Sequence, residues 1–112
     1  MKEDTEILAE LMLHADQFCS KVEEATQDLA PIAEQTELRL KIGQCRNQLA
    51  HLQEFFNTRK LTIENAEVRA NFRQLVVALL WVAFYARSAL DFRIFRMLVR
   101  IESGFAYLLG SR

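Results

Sequence analysis

Apolar residues recur at alternating intervals of three and four positions along the first part of the chain. This spacing places them on one face of a helix and is typical of the contact line of a helical bundle. The predicted helix begins near Asp4 or Thr5, either of which can cap free backbone N–H groups. It ends at Pro31, which has no N–H to donate and disfavours helical geometry at Ala30. The apolar positions are Leu8, Leu11, Ala15, Phe18, Val22, Ala25 and Leu29.

A second apolar stripe with the same spacing predicts a second helix. Because only a short turn around Pro31 separates the two stripes, they predict an antiparallel helical hairpin. Gly43 lies inside the second helix, at a cost of up to about 1 kcal/mol, and indicates a close approach by a neighbouring helix. Arg59 and Lys60 suit the negative end of the helix dipole, so we expect this helix to end near Asn57. The stripe consists of Leu38, Ile42, Cys45, Leu49, Leu52 and Phe56.

The segment from Phe72 to Leu109 holds the only Trp, both Tyr and five of the eight Phe of the chain. From Leu75 to Ala86, apolar residues occupy every face of a helix, which predicts a central helix of the bundle. We therefore interpret Trp81, Phe84 and Tyr85, which follow helical spacing within this run, as core residues.

Capping residues leave the number of helices in the second half open. Thr62 offers a cap for a third helix that leads into the aromatic segment. The residues from Ser88 to Asp91 have the spacing of a capping motif, which favours the start of a fourth helix at Ala89 or Phe92. The aromatic segment is therefore either one long helix or two shorter ones.

Composition supports an all-α fold. Hydrophobic residues make up 51% of the chain and charged residues 26%, which is typical of a globular protein. Three Gly and one Pro are too few for the many corners of a β-sandwich. We predict a single all-helical domain over residues 1–112. It is a bundle of three or four helices, with an N-terminal antiparallel helical hairpin and a long aromatic-rich C-terminal helical segment.

The charge of the chain is unevenly distributed. Residues 1–40 carry ten acidic and three basic side chains, a net charge of −7, whereas residues 41–112 carry eleven basic and five acidic ones, a net charge of +6. The two halves either neutralise each other within the fold or leave a basic C-terminal surface for an acidic partner. Arg93, Arg96 and Arg100 fall on one helical face, where they are solvated, pair with acids or contact nucleic acid.

No motif for catalysis or for cofactor binding is found in the sequence. Cys19 and Cys45 lack metal-like or redox spacing and lie on apolar helix faces, which predicts buried free thiols and a cytoplasmic location. His14 and His51 lack partners at metal-ligand spacing. The acidic start does not resemble a signal peptide, and the uncharged run from Leu75 to Ala86 is too short to span a membrane. We predict no enzymatic activity, no cofactor and no membrane insertion.

Two helices cannot cover all the aromatic side chains of the C-terminal half, so some of them are expected to form an intermolecular interface. Aromatic residues and Arg are enriched in such interfaces. We predict a homodimer, since two-fold dimers are the commonest oligomers, and a site for another protein. The predicted interface residues are Phe92, Arg93, Phe95, Arg96, Leu98, Val99, Arg100, Phe105 and Tyr107.

Two stretches of the chain carry a resemblance to a known family. They are EDTEILAELMLHADQF at residues 3–18 and VVALLWVAFYARSALDFRIFR at residues 76–96. Both are similar to the quorum-sensing antiactivators of pseudomonads. The resemblance implies a small helical regulator that binds a LuxR-type transcription factor and blocks its dimerisation. The alternatives are a helical secretion-type chaperone and a nucleic-acid-binding protein that uses Arg93, Arg96 and Arg100.

Overall fold

Four α-helices and their connections make up the structure, a computed structural model that describes residues 3–27 and 33–110. The helices are α1 (Asp4–Thr26), α2 (Ala33–Asn57), α3 (Ala66–Tyr85) and α4 (Phe92–Gly110). The predicted all-α bundle is confirmed, and the aromatic segment consists of two helices. Leu29 and Pro31, which the sequence assigned to the end of the first helix and the following turn, lie outside the described residues.

Helix α1 begins at Asp4, as expected, and α4 begins at Phe92, one of its two predicted starts, whereas the cap of α3 differs from prediction. Asp91 precedes α4, and its carboxylate Oδ1 accepts a hydrogen bond of 2.9 Å from the backbone N–H of Ile94. The cap of α3 is Asn65 rather than Thr62, because the Asn65 side chain accepts from the backbone N–H of Glu67. Thr5 is already inside α1, and its hydroxyl donates to the carbonyl of Leu61 at 2.9 Å.

A side-chain hydrogen bond marks the end of α1, and a backbone turn marks the end of α2. The first helix ends at Thr26, before the expected end at Ala30. The side chain of Gln35 donates to the backbone carbonyl of Thr26 at 3.2 Å, which supplies a partner for a carbonyl left open at the helix end. As expected, α2 ends at Asn57, and the chain then turns through Arg59 with a φ of 60°.

Each helix runs antiparallel to its neighbours around one core. Arg46 of α2 binds the carboxylate of Glu23 in α1, which together with the Gln35–Thr26 contact confirms the N-terminal hairpin. On the other side of α2, Gln48 donates to Gln74 of α3. Helix α4 then fills the position between α3 and α1, where the ring of Phe105 stacks on that of Phe72, 5.3 Å away.

The buried side chains follow the seven-residue pattern that the sequence shows. Two predicted positions depart from it, because Phe56 of α2 and Ala25 of α1 are exposed. The seam of α1 also includes Met12, Cys19 and Thr26. The core of the second half is supplied by one stripe on each helix, consisting of Val68, Phe72, Leu75, Leu79 and Val82 on α3 and Ile94, Leu98, Ile101, Phe105 and Leu108 on α4.

The close approach of two helices occurs at a different glycine from the one expected. A Cβ atom at Gly43 would have no neighbour within 4 Å, so the expected contact at this position is wrong. A Cβ atom at Gly104 would lie 2.6 Å from Cδ2 of Leu11. Gly104 therefore allows α4 to approach α1.

Candidate protein-binding face

Helix α3 carries two apolar stripes, and only one of them is buried. The inner stripe packs into the core, as described above. The outer stripe has the spacing i, i+3, i+4, i+7 on the opposite side of the helix, and the other three helices leave about half of its surface exposed. Trp81, at its centre, is 45% exposed. The outer stripe consists of Val77, Leu80, Trp81 and Phe84.

A second exposed stripe lies beside it on α4. Phe92 is 73% exposed, and Phe95 and Val99 follow at intervals of three and four residues. Phe92 and Phe95 line the same groove as Leu80 and Phe84, so the stripes of the two helices are neighbours. The term α3/α4 aromatic face denotes these seven residues, which are Val77, Leu80, Trp81, Phe84, Phe92, Phe95 and Val99.

Aromatic contacts organise the α3 side of this face. The indole of Trp81 meets the ring of Phe84 edge-on at 5.8 Å and stacks on the half-buried ring of Tyr85, also at 5.8 Å. Phe84 and Tyr85 meet edge-on at 5.4 Å. Such pairs hold rings in place at the cost of little side-chain entropy. The three rings therefore present a largely preformed surface to a partner.

Three cations lie over rings of the α3/α4 aromatic face. The ammonium of Lys41 is 5.6 Å from the centre of the Trp81 ring, and the guanidinium of Arg87 is 4.6 Å from that of Phe84. Arg96 lies over Phe92 at 5.7 Å. These positions are within the range of cation–π attraction. The α3/α4 aromatic face is therefore apolar at its centre and positively charged at its rim.

The structure places seven of the nine predicted interface residues at the surface and two in the core. The prediction was wrong for Leu98 and Phe105, which are 2% and 6% exposed and point between the helices. They lie on the seam of α4, about 100° around the helix from the exposed positions that follow them, Val99 and Ala106. The exposed residues are Phe92, Arg93, Phe95, Arg96, Val99, Arg100 and Tyr107.

The α3 half of the face was not predicted, because Trp81 and Phe84 lie in a run that is apolar on every face and were therefore interpreted as core residues. Four helices around one core bury about one stripe of each, so a helix that is apolar all round keeps an exposed side. The seven-residue pattern that runs through Phe72, Leu75 and Leu79 already separates the inner stripe from Trp81 and Phe84. That pattern is the signal that would have identified the outer stripe.

The arginines of α4 are solvated. Arg93, Arg96 and Arg100 are exposed, and none of them forms an ion pair with a carboxylate of the described residues. Of the alternatives that the sequence left open, pairing with Asp91, Glu102 or α1 is therefore not observed within residues 3–27 and 35–110.

Two buried thiols face each other between α1 and α2. Cys19 and Cys45 are fully buried and free, as predicted. The hydrogen bond to Cys45 lowers the pKa of Cys19, and the same hydrogen bond together with burial raises the pKa of Cys45. Since neither sulfur is exposed, the pair contributes to the packing of the hairpin.

Other kinds of site receive less support. Within the described part of the chain, no three His, Cys, Asp or Glu side chains gather closely enough to hold a metal ion. The helices described also include none with the length and apolar character needed to cross a membrane. A groove of about 490 Å³ between α1 and α2 is lined by Met12, Leu13, Leu49 and Phe56 together with the ion-pairing residue Arg46. It carries one aromatic ring, against four on the α3/α4 aromatic face.

Comparison with known proteins finds no matching protein family, no matching curated protein and no matching solved structure.

Proposed function

We propose that the chain is a regulatory protein-binding module whose α3/α4 aromatic face binds another protein and blocks a surface that this protein otherwise uses. The single observation that carries the proposal is the exposure of seven large apolar side chains on two adjacent helices. Contiguous apolar patches of this kind mark interaction sites on soluble domains. The Trp and Phe side chains at its centre are among the residue types that dominate interface energetics.

The class of target follows from the resemblance to quorum-sensing antiactivators. Residues 76–96, one of the two stretches that carry it, include Val77, Leu80, Trp81, Phe84, Phe92 and Phe95. A LuxR-type transcription factor is therefore the proposed target, and the blocked surface is the one through which that factor dimerises. The target keeps its own fold, but its two protomers no longer associate.

Light scattering on a mixture of the chain with the dimeric ligand-binding domain of a LuxR-type factor tests this function. We expect excess chain to replace the factor dimer by a complex that contains one factor protomer. Trp81→Ala should weaken the complex, because truncation of a central interface anchor typically costs 2 kcal/mol or more, roughly thirtyfold in affinity.

Leu40→Ala is the matched control, since Leu40 is 54% exposed on α2 and lies outside the face. The control variant should bind as tightly as the original chain. A factor that stays dimeric in excess chain would contradict the proposed target. Equal effects of Trp81→Ala and Leu40→Ala would contradict the proposed face.

Self-association through the same face is the second candidate, as a homodimer was expected from the aromatic content. A two-fold contact would cover the exposed rings of both copies. Because Arg73 and Arg96 lie on this side of the molecule, such a dimer brings like charges together. We expect the dimer to be stabilised by added salt, which screens this repulsion. Light scattering at low and high salt measures this effect, and dimerisation that weakens with salt would contradict it.

A further inference from the structure

The α3/α4 aromatic face lies in the basic half of the chain. Residues 66–110 contain six arginines and three acidic residues. Of the acids, Glu67 lies in the first turn of α3, Asp91 accepts the capping hydrogen bond from Ile94, and Glu102 is half-buried. The six arginines are Arg69, Arg73, Arg87, Arg93, Arg96 and Arg100.

Several cations of α2, α3 and α4 border the exposed rings directly. Lys41 and Arg73 line one groove with Val77 and Trp81. On the other side of the face, Arg96 lies over the ring of Phe92. Among the described residues, no carboxylate forms an ion pair with Lys41, Arg73 or Arg96. Their charge is therefore not neutralised by the neighbouring helices.

We infer that the segment that binds the α3/α4 aromatic face is an acidic amphipathic helix. Its apolar stripe packs between the outer stripes of α3 and α4, and its Asp and Glu side chains lie beside Lys41, Arg73 and Arg96. This inference rests on the proposed protein-binding function and adds the chemistry of the partner to it.

The shape of the face supports a helical partner. The outer stripes of α3 and α4 each extend over eight residues, from 77 to 84 and from 92 to 99, and the seven steps between their ends correspond to roughly 10 Å along a helix. The helices are antiparallel and leave a groove between Leu80 and Phe84 on one side and Phe92 and Phe95 on the other. An amphipathic helix with apolar residues at i, i+3, i+4 and i+7 presents a ridge of the same length to such a groove.

Charge decides between this partner and the other candidates. A second copy would place Arg73 and Arg96 near the same residues of its partner, and like charges across an interface are unfavourable. A nucleic acid would pair with the arginines and could stack its bases on the exposed rings, but it would leave the aliphatic side chains Val77, Leu80 and Val99 without an apolar partner. An acidic amphipathic helix can pack its apolar side chains against the centre of the face and place its carboxylates beside the cations of the rim.

Two designed peptides of about 18 residues provide the test, because isolated helices of this length are stable enough to form. Both carry Leu at i, i+3, i+4 and i+7 and lack Trp. One has Glu at the flanking positions, and the other has Lys at the same positions. Trp81, the only Trp of the chain, reports on binding through its fluorescence, since it lies at the centre of the face.

We expect the Glu peptide to shift the Trp81 emission and to bind at least about tenfold more tightly than the Lys peptide. Its affinity should fall as salt is added, because screening weakens the attraction between exposed charges. The charge-reversed variants Arg73→Glu and Arg96→Glu should lose affinity for the Glu peptide and gain affinity for the Lys peptide. Arg39→Glu is the matched control, since Arg39 is exposed on α2, where it lines a groove with Glu23 and Glu24 of α1 and lies outside the face.

The outcomes separate the inference from the function on which it rests. Equal binding of both peptides, with a loss on Phe95→Ala, which keeps the Trp81 signal, overturns the acidic partner and keeps the protein-binding face. Binding of neither peptide overturns the inference, whereas tests with the LuxR-type factor decide the function. Tighter binding of a fluorescent single-stranded oligonucleotide than of the Glu peptide also overturns it, in favour of nucleic acid. A chain that dimerises more tightly than it binds the Glu peptide overturns it in favour of a second copy.

Discussion

The inner and outer stripes of α3 differ in what lies against them, although both consist of large apolar side chains. Phe72, on the inner stripe, is fully buried and stacks on Phe105 of α4. Trp81, on the outer stripe, is 45% exposed, and its ring contacts are with Phe84 and Tyr85 of its own helix and with the ammonium of Lys41. The free energy of burial is gained on folding for the inner stripe, whereas about half of the surface of the outer stripe remains exposed and available for binding. Apolar character alone therefore does not identify a core residue.

The largest expected difference is between alanine substitutions on the two stripes. Phe72→Ala should lower the free energy of unfolding by about 3–5 kcal/mol, because it leaves a cavity between α3 and α4. Trp81→Ala should lower it by about 1 kcal/mol, since only the contacts with Phe84, Tyr85 and Lys41 are lost. Urea denaturation followed by circular dichroism measures both. Equal losses would show that the outer stripe belongs to the core.

The same comparison can be made at two neighbouring residues of α4. Leu98→Ala should cost about 2–5 kcal/mol, because the side chain is buried between the helices. Val99→Ala should change stability by less than about 0.5 kcal/mol, as an exposed position does. Thermal denaturation of the two variants measures this difference. A larger loss for Val99→Ala than for Leu98→Ala would contradict the observed orientation of α4.

The two helical glycines separate an exposed position from a packed one. Gly43→Ala should stabilise the chain by up to about 1 kcal/mol, because alanine favours a helix and the new methyl group meets no neighbour. Gly104→Ala should gain less or lose stability, since the methyl group displaces the side chain of Leu11. Denaturant midpoints of both variants provide the measurement. A gain at Gly104 that equals the gain at Gly43 would mean that α4 does not approach α1 closely.

The smallest expected effect on stability is at the rim of the α3/α4 aromatic face. Arg96→Glu should alter the free energy of unfolding by less than about 0.5 kcal/mol, because Arg96 is exposed and its contact with Phe92 lies at the surface. The same substitution should weaken binding of the acidic peptide about tenfold. Paired melting and peptide titrations measure the two effects, and a variant that melts much earlier would assign Arg96 a structural role.

The hydrophobic pattern was sufficient for the helical fold and for most of the seams, but it left three or four helices as alternatives. It identified Phe18 and Leu52 as core residues, and the capping spacing from Ser88 to Asp91 gave Phe92 as one of two possible starts of α4. The pattern was insufficient where burial depends on the number of neighbours. Trp81 would be a core residue beside a fifth helix and is a surface residue in a four-helix bundle.

Contacts between distant parts of the chain explain the remaining errors. Gly43 and Gly104 both lie within helices, and only the packing of Leu11 against α4 distinguishes them. Leu98 and Phe105 have the composition expected of an interface, but the direction from which α1 and α3 approach α4 places them inside. The direction from which one helix approaches another depends on the packing of the whole bundle, so the residues around Leu98 and Phe105 do not indicate it.

Quenching of Trp81 fluorescence by acrylamide tests the central claim most directly, because it reports on one side chain at the centre of the proposed binding face. The free chain should be quenched readily at a concentration where light scattering shows a monomer, and the acidic peptide should protect Trp81 from quenching. A monomer in which Trp81 is already protected would contradict the account, since the outer stripe of α3 would then be buried within the fold.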